Sequence, residues 1–191
     1  TGNWTVGSVA IANAGAELRV GNDTYTGSLG SGDVTVQATA GTSLFRTHFI
    51  GDTTIANNLT LNANSTLNAH YLRQGLGNVS LTGDLTIGAN SASTGRAILQ
   101  TEGSGILSFD GTLVGGSATN LLNIANNGIF RFGGSASNSY NGVLSGNNVW
   151  LFDNTGNTTL LGVNTFNTGH TYLRKGTVTI GTGGVDTIHN D

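Results

Sequence analysis

A short phrase, two apolar residues separated by one residue, recurs along the chain and constrains its fold more than any other feature. It stands as GDLTIG at 83–88, GIFRFG at 128–133, GTVTIG at 176–181 and, one residue longer, GAELRVG at 15–21. The marker pairs are Leu18/Val20, Val34/Val36, Leu59/Leu61, Leu85/Ile87, Leu107/Phe109, Phe130/Phe132, Val149/Leu151 and Val178/Ile180. Their mean spacing of about 23 residues is typical of a repeat that buries its apolar face against the next copy. The first interval, from Leu18 to Val34, is the shortest and fits least well.

The residues around the markers favour strands over helices. Stretches such as DVTVQ and TVTI alternate apolar and polar residues, and Gly or Asn interrupts the pattern too often for a helix. Because successive strand residues point to opposite sides, an apolar-x-apolar triplet buries both apolar side chains on one face. We therefore predict an all-β chain that coils as a parallel β-helix of about eight rungs of about 23 residues, with Gly83 and Gly88 at corners.

The competing fold is an up-and-down or sandwich β-structure, which has closely and evenly spaced turn signals as well. Such a fold needs tight hairpins, for which Asn-Gly and Asp-Gly pairs are the strongest signal. These pairs occur at Asn127-Gly128, Asn141-Gly142 and Asp110-Gly111. That is few for a chain with so many strands, and the β-helix is favoured.

Composition supports a folded, repetitive and weakly charged chain. Charged residues make up 9%, apolar residues 37%, and there are 31 Gly, no Pro and no Cys. Strands that pair on both edges cannot lose an N–H, which fits the absence of Pro. The net charge is −3, and Lys175 is the single lysine, so a basic surface for nucleic acid is not expected. No apolar run reaches the roughly 20 residues of a membrane-spanning helix.

Residues 156–181, GNTTLLGVNTFNTGHTYLRKGTVTIG, resemble the passenger-associated repeat of bacterial autotransporters, also called the autotransporter-associated β-strand repeat. The matching residues are Gly156, Thr158, Thr159, Leu160, Gly162, Asn164, Thr165, Thr168, Gly169, Thr171, Gly176, Thr177, Ile180 and Gly181. The departures are Phe166 for a Tyr, an additional Asn167, and His170 for a Gly. Residues 14–34 look like the segment that commonly follows the repeat. The middle of the chain resembles the repeat only in general character and does not match it residue by residue.

The resemblance implies a right-handed β-helix, export to the bacterial cell surface, and a role in surface display or adhesion without an active site. The absence of Cys agrees with export of an unfolded chain. We expect residues 1–191 to form one β-helical segment of a longer repetitive extracellular protein, or a filament subunit. Contact with a membrane is expected only through an anchor domain that this sequence does not contain.

Enzymatic function needs a separate test, because parallel β-helices include polysaccharide-degrading enzymes. Asp84 and Asp110 are one marker interval apart and flank marker strands, so they could lie on neighbouring rungs as a carboxylate pair. Their simpler role is in turns, where Asp bonds nearby backbone. His48, His70, His170 and His189 lack metal-ligand spacing, and GTGGVD at 181–186 occurs once, whereas calcium-binding repeats need tandem copies. We assign no catalytic, cofactor-binding or metal-binding residue.

Asparagine recurs beside the marker strands, in the pairs Asn57-Asn58, Asn126-Asn127 and Asn147-Asn148. These pairs could stack as an amide ladder inside the turns, or they could simply form turns. Asn-x-Ser/Thr sequences begin at Asn3, Asn22, Asn58, Asn64, Asn78 and Asn157. In a chain rich in Asn and Thr such sequences arise by chance, and they are weak indicators of glycosylation.

Partners are expected first at the coil ends, where unpaired strand edges invite pairing. No Pro occurs in the chain, and no charge precedes Glu17, so we expect stacking on further coils or end-to-end assembly. A second hypothesis is a polysaccharide-binding module that stacks sugars on Trp4, Tyr25, Tyr71, Trp150 or Tyr172. A third is ice binding, for which only Thr24-Tyr25-Thr26 and Thr177-Val178-Thr179 have the required pattern.

Overall fold

A computed structural model describes most of the chain, and within that part it contains strands and turns but no helix. The described ranges are 8–12, 15–21, 29–37, 42–48, 51–63, 69–74, 77–88, 96–101, 105–115, 121–126, 128–146, 149–162, 164–166 and 170–181.

The described residues form 21 strands. The first eleven are β1 (Val9–Ile11), β2 (Glu17–Val20), β3 (Val34–Gln37), β4 (Ser43–His48), β5 (Thr53–Ile55), β6 (Leu59–Asn62), β7 (Ala69–Gln74), β8 (Val79–Leu81), β9 (Leu85–Ile87), β10 (Arg96–Thr101) and β11 (Ile106–Phe109). The others are β12 (Leu113–Gly115), β13 (Leu121–Asn126), β14 (Ile129–Phe132), β15 (Asn138–Tyr140), β16 (Val143–Gly146), β17 (Val149–Phe152), β18 (Asn157–Leu160), β19 (Thr165–Phe166), β20 (Thr171–Leu173) and β21 (Thr177–Ile180).

The strands lie in four sheets, and neighbours within each sheet are not neighbours in sequence. Sheet 1 has the order β1-β3-β6-β9-β12, and sheet 2 the order β2-β4-β7-β10-β13-β16-β19. Sheet 3 has the order β5-β8-β11-β14-β17-β20, and sheet 4 the order β15-β18-β21. Pairing is parallel in all of them, as in β3 with β6 and β11 with β14. The chain is therefore a parallel β-helix, and the predicted fold class is confirmed.

Within the described chain, each coil from β3 to β20 contributes one strand to each of three faces, and coil length changes along the chain. Val34 pairs with Leu59 in the early part of sheet 1, and the sequence separation within such a pair is the length of one coil. In sheet 3 the separation is larger between Val79 and Leu107, and it is smallest between Phe130 and Trp150. The coils are thus longer in the first part of the chain and shorter near the last strands.

The rung count differs from the predicted eight, because no continuous sheet of the described chain has more than seven strands. The eight marker pairs lie on all four sheets, so a spacing between two markers mixes coil length with displacement around the coil. The short interval between Leu18 and Val34 runs from sheet 2 to sheet 1. The marker at Val149 and Leu151 is also one residue out of register. Trp150 and Phe152 are the buried pair of β17, and the two marker residues are only half-buried.

The interior of the coil is filled by the apolar side chains that alternate along the strands. Toward the end of sheet 3 it becomes aromatic, since Phe130 packs edge-on against Phe132 and Trp150 with ring centroids 5.1 and 5.3 Å apart. Phe132 and Phe152 are stacked at 5.1 Å. Because aromatic rings are large, fewer residues are needed to fill one layer of the interior. This agrees with the shorter coils near the end of sheet 3.

Side chains at two corners bond the backbone of the next coil. Asp52 Oδ1 accepts a hydrogen bond from the Asn78 N–H at 2.7 Å, and Asn78 Oδ1 accepts one from the Ile106 N–H at 2.9 Å. At another corner Asn58 Oδ1 accepts from the Asp84 N–H, and Asp84 Oδ1 from the Thr112 N–H. These ladders satisfy backbone donors that the turns leave outside the sheets.

Glycine is required where the corners approach each other. A Cβ atom on Gly83 would overlap the carbonyl oxygen of Asn57 in the preceding coil. A Cβ on Gly111 would in turn overlap the carbonyl oxygen of Gly83. Gly83 therefore lies at a bend of the chain, as its place in GDLTIG predicts.

Sheets 1 and 4 cover the same face but are separated by a side chain. The Leu113 N–H of β12 donates to Asn138 Oδ1 of β15 at 2.7 Å, where a backbone carbonyl would continue the ladder. Asn138 is 3% exposed, and its Nδ2 has no hydrogen-bond partner in the described chain. An asparagine thus joins two ladders that belong to coils of different length.

Candidate functional site: the outer face of sheet 3

The outward residues of sheet 3 form parallel columns, because its strands are in register. The middle column contains Thr54, Ser80, Ser108, Arg131, Leu151 and Tyr172. Beside it, Ile106, Ile129 and Val149 form a half-buried apolar column. On the other side, Asp110, Gly133, Asp153 and Arg174 each follow the last residue of a strand.

Arg131 is the centre of a charged cluster on this face. Its Nε and Nη2 donate to Asp153 Oδ2 at 3.2 and 3.0 Å, and its Nη1 donates to Ser108 Oγ at 3.1 Å. The same Nη1 lies 3.6 Å from Asp110 Oδ1. Lys175 Nζ approaches the other oxygen of Asp153 at 3.4 Å. The cluster therefore links side chains from four successive coils.

Two hydroxyl groups complete the hydrogen bonding of Asp110. Ser80 donates a hydrogen bond to Asp110 Oδ2, and Ser108 donates one to Oδ1 at 2.8 Å. The carboxylate lies over the position of Gly133, where a Cβ would overlap Asp110 Oδ1 and press on the guanidinium of Arg131. The missing side chain at residue 133 leaves the space that the cluster occupies.

The neighbouring cations lower the pKa of Asp153. Hydrogen bonds from Arg131 hold the pKa of this carboxyl below its usual range, desolvation opposes the shift, and Lys175 lowers the pKa further. A general acid of glycoside hydrolysis needs a raised pKa. The arrangement favours an ionised carboxylate that is used for ion pairing.

The cluster forms one part of an open groove of about 440 Å³ along sheet 3. The groove extends from Asp52 and Thr54 to Leu151 and Arg174, across six strands. At a spacing of about 4.8 Å between neighbouring strands, its length is roughly 24 Å. Its long axis is parallel to the axis of the coil.

The proposed carboxylate pair, Asp84 and Asp110, comes from neighbouring coils, and the two carboxylates have different hydrogen-bond partners. Asp84 precedes β9 and accepts the Thr112 N–H at 3.1 Å. Asp110 follows β11 and bonds the two serines and Arg131 on sheet 3. Asp84 has the turn role that its position predicts, whereas Asp110 pairs with groups that sequence reasoning did not identify.

The histidines are dispersed in the structure. His48 Nδ1 is 2.9 Å from Arg19 Nη2, and His170 lies 6.1 Å from Tyr172 between ring centroids. Burial lowers the pKa of His70, Arg46 lowers it further, and a hydrogen bond to Gln100 partly opposes both. His189 lies outside the described residues. Where the chain is described, no group of three or more His, Asp or Glu is arranged to hold a metal ion.

Most aromatic candidates for sugar stacking are interior residues. Tyr71 and Trp150 are 0% and 1% exposed, and the Tyr71 hydroxyl lies 2.9 Å from Thr47 Oγ1. Tyr172 is 38% exposed at the end of the middle column. Trp4 and Tyr25 lie outside the described residues. Tyr172 is therefore the described candidate whose ring a ligand can reach.

The asparagine pair that the structure describes, Asn57-Asn58, acts between coils through bonds to backbone atoms and not to other amide side chains. Asn57 Nδ2 donates to the carbonyls of Gly30 and Gly32 at 3.1 and 2.6 Å, and Asn58 accepts a backbone N–H. The side chains of Asn126, Asn127, Asn147 and Asn148 lie outside the described part. Among the possible glycosylation sites, Asn58, Asn78 and Asn157 are all exposed, and the side chains of Asn58 and Asn78 accept hydrogen bonds from the next coil. Asn3, Asn22 and Asn64, with Thr24-Tyr25-Thr26 and residues 182–186, are not described.

Within the described chain, no helix offers the length and apolar character needed to cross a membrane. No protein-family model, no curated protein and no solved structure matches this chain.

Proposed function

We propose that the chain is a non-catalytic, structural and adhesive β-helical segment of a bacterial cell-surface protein, related in kind to autotransporter passengers, and that it extends by pairing of coil ends. The coiled fold, the corner ladders and the charged cluster that ties successive coils together support a load-bearing rod. The export and surface location rest on the resemblance of residues 156–181 to the passenger-associated repeat.

The observation that carries the pairing is the exposed C-terminal coil. In the described chain β19, β20 and β21 each have a strand on one side only. Four large apolar side chains are exposed among the described residues, and three of them, Leu161, Tyr172 and Leu173, lie in the last two coils. An unpaired edge beside exposed apolar groups is a template for another strand.

Coil length restricts what can pair there. The last coils are short, as the pairing of Asn157 with Thr177 shows. The first coils are longer, as the pairs Val9 with Val34 and Glu17 with Leu44 show. The partner that fits the C-terminal coil is therefore another short coil, from the same protein or from the same end of a second copy.

Sedimentation velocity over a range of protein concentrations tests this proposal. Thr179→Lys puts a charge on the terminal strand β21, and Ser139→Lys puts the same charge in the same column on β15. We expect the wild type and Ser139→Lys to associate as concentration rises, and Thr179→Lys to stay monomeric. A wild type that remains monomeric at all concentrations, or equal association of both variants, contradicts pairing through this end.

A further inference from the structure

We propose that the groove on sheet 3 binds a linear, uncharged oligosaccharide that lies along the coil axis. The inference supplies a ligand for the adhesive part of the proposed function and rests on it only in that sense. The groove is long, open and parallel to the axis, and successive coils each contribute residues to its lining. A linear ligand that lies along the axis can therefore contact several coils in turn.

The cross-section of the groove matches the two kinds of surface on a sugar ring. Among the lining residues, Ile106 on one side and Leu151 in the middle column are half-buried and apolar, and Ile129 and Val149 continue the column of Ile106 beside the groove. These side chains suit the C–H faces of pyranose rings. Asp110 and Asp153 lie on the opposite side, where a carboxylate oxygen that already accepts one or two hydrogen bonds retains lone pairs for a hydroxyl.

The C-terminal end of the groove is lined by an arginine, and an exposed ring lies beside it. Tyr172 is the exposed last member of the middle column, and His170 lies beside it. Arg174 lines the groove and is exposed, and its guanidinium has no ion-pair partner among the residues that the structure describes. Such a ring with a neighbouring donor can hold one terminal sugar by stacking and hydrogen bonding.

The balance of charged groups in and around the groove favours an uncharged ligand. The carboxylates of Asp52, Asp110 and Asp153 balance the cations of Arg131, Arg174 and Lys175 in and around the groove. Arg131 and Lys175 are already paired with Asp153. An acidic glycan would place its carboxylates beside three others and would find only Arg174 without a partner in the described chain, so an uncharged glycan binds at lower electrostatic cost.

An extended peptide fits the groove less well. Peptides that bind to sheets add a strand to an edge and use main-chain hydrogen bonds. The groove lies over the paired strands β8, β11, β14 and β17, whose edges are covered by neighbours. A ligand along the axis crosses these strands and contacts only side chains, which favours a chain of hydroxyl groups over a chain of amides.

Isothermal titration calorimetry and two-dimensional NMR test the inference with hexasaccharides of β-1,4-linked glucose, xylose and mannose, and with hexagalacturonate. We expect saturable binding of at least one neutral hexasaccharide, with shift changes at Thr54, Ser80 and Leu151. Tyr172→Ala and Arg174→Ala should each weaken binding by about 10-fold, because one stacked ring or one charged hydrogen bond is lost. Arg19→Ala on sheet 2 is the matched control and should leave the affinity unchanged.

Three outcomes overturn the inference: no saturable binding of any neutral hexasaccharide, tighter binding of hexagalacturonate, or equal affinities of Arg174→Ala and Arg19→Ala. Circular dichroism of each variant checks that its fold is retained. Sedimentation of the same samples separates this inference from the proposed assembly. Monomeric rods that bind a hexasaccharide support the groove and contradict end pairing, and rods that associate without binding do the reverse.

Discussion

The guanidinium of Arg131 donates two hydrogen bonds, at 3.2 and 3.0 Å, to a single oxygen of Asp153, which lies one coil further along the β-helix. Its remaining nitrogen bonds Ser108 in the preceding coil. One side chain thus connects three layers of sheet 3, in addition to their backbone hydrogen bonds and interior packing. In a rod of stacked repeats, stability depends on each repeat and its interfaces with the next, so such a residue should matter beyond its own coil.

Replacing Arg131 should therefore destabilise the rod. We expect Arg131→Met, which keeps the length of the side chain, to lower the free energy of unfolding by about 2 kcal/mol, because several charge-assisted hydrogen bonds are lost and two carboxylates keep weaker partners. Urea denaturation followed by circular dichroism measures the change. Arg19→Met removes an arginine from sheet 2 and should change the midpoint little. Equal effects of the two substitutions would contradict a special role for Arg131.

The same pairing predicts how stability depends on pH. The pKa of Asp153 is lowered from the ordinary value of 3.8, mainly by hydrogen bonds from Arg131. The unfolded chain therefore takes up this proton at a higher pH than the folded chain does. The contribution of Asp153 is fully present above the unfolded value and is lost as the pH falls below it toward the folded value.

Urea midpoints of the wild type and Asp153→Asn, measured from neutral pH to below pH 3.8, test this dependence. We expect a difference that is constant near neutral pH and shrinks under acid. A difference in urea midpoint that grows as the pH falls would contradict the lowered pKa of Asp153.

Corners of neighbouring coils lie so close together that we expect one additional methyl group to lower stability strongly. A Cβ on Gly83 would overlap the carbonyl oxygen of Asn57, which belongs to the backbone and cannot turn aside. We expect Gly83→Ala to cost roughly 3 kcal/mol, at the upper end of the range for overpacked sites. Thr82→Ala alters the exposed neighbour of Gly83 and serves as the control for the same thermal unfolding measurement. A Gly83→Ala variant as stable as the control would show that the corners lie further apart.

A buried asparagine should also be costly to remove. Asn154 is 1% exposed, and its Nδ2 donates to the carbonyls of Ala136 and Gly156 at 3.3 and 3.0 Å. Asn154→Ala leaves these two carbonyls without their amide donor, and we expect it to lower the free energy of unfolding by about 2 kcal/mol. Asn157→Ala changes a nearby exposed residue and should be nearly neutral. Amide hydrogen exchange of β18 measures both, and unchanged protection in Asn154→Ala would contradict the role of its amide.

The fold was predictable because its cause is local and repeated. Alternation at Leu85 and Ile87 identifies a strand with one buried face, and its copies along the chain indicate coiling. The register was less accessible, since β17 buries Trp150 and Phe152 while its apolar run also contains Val149 and Leu151. An unbroken apolar run does not reveal by itself which alternate residues point inward.

The charged cluster was not predictable from spacing. Asp110, Arg131 and Asp153 occupy equivalent regions of successive coils, but the coils become shorter along the chain. Without the coil lengths, nothing in the sequence groups Asp110 with Asp153 rather than with Asp84. The GIFRFG phrase did contain one clue, because its arginine lies at an outward position between two buried phenylalanines.

The role of the cluster is tested most directly by measuring the urea midpoint and the turnover of a polysaccharide panel for Asp110→Asn and Asp153→Asn, with Asp84→Asn in parallel. If the carboxylates hold coils together in a structural rod, Asp110→Asn and Asp153→Asn will unfold at lower urea than the wild type, and none of the proteins will cleave the panel. Cleavage by the wild type that is abolished in either variant, with its urea midpoint unchanged, would contradict the account and identify the carboxylates as catalytic.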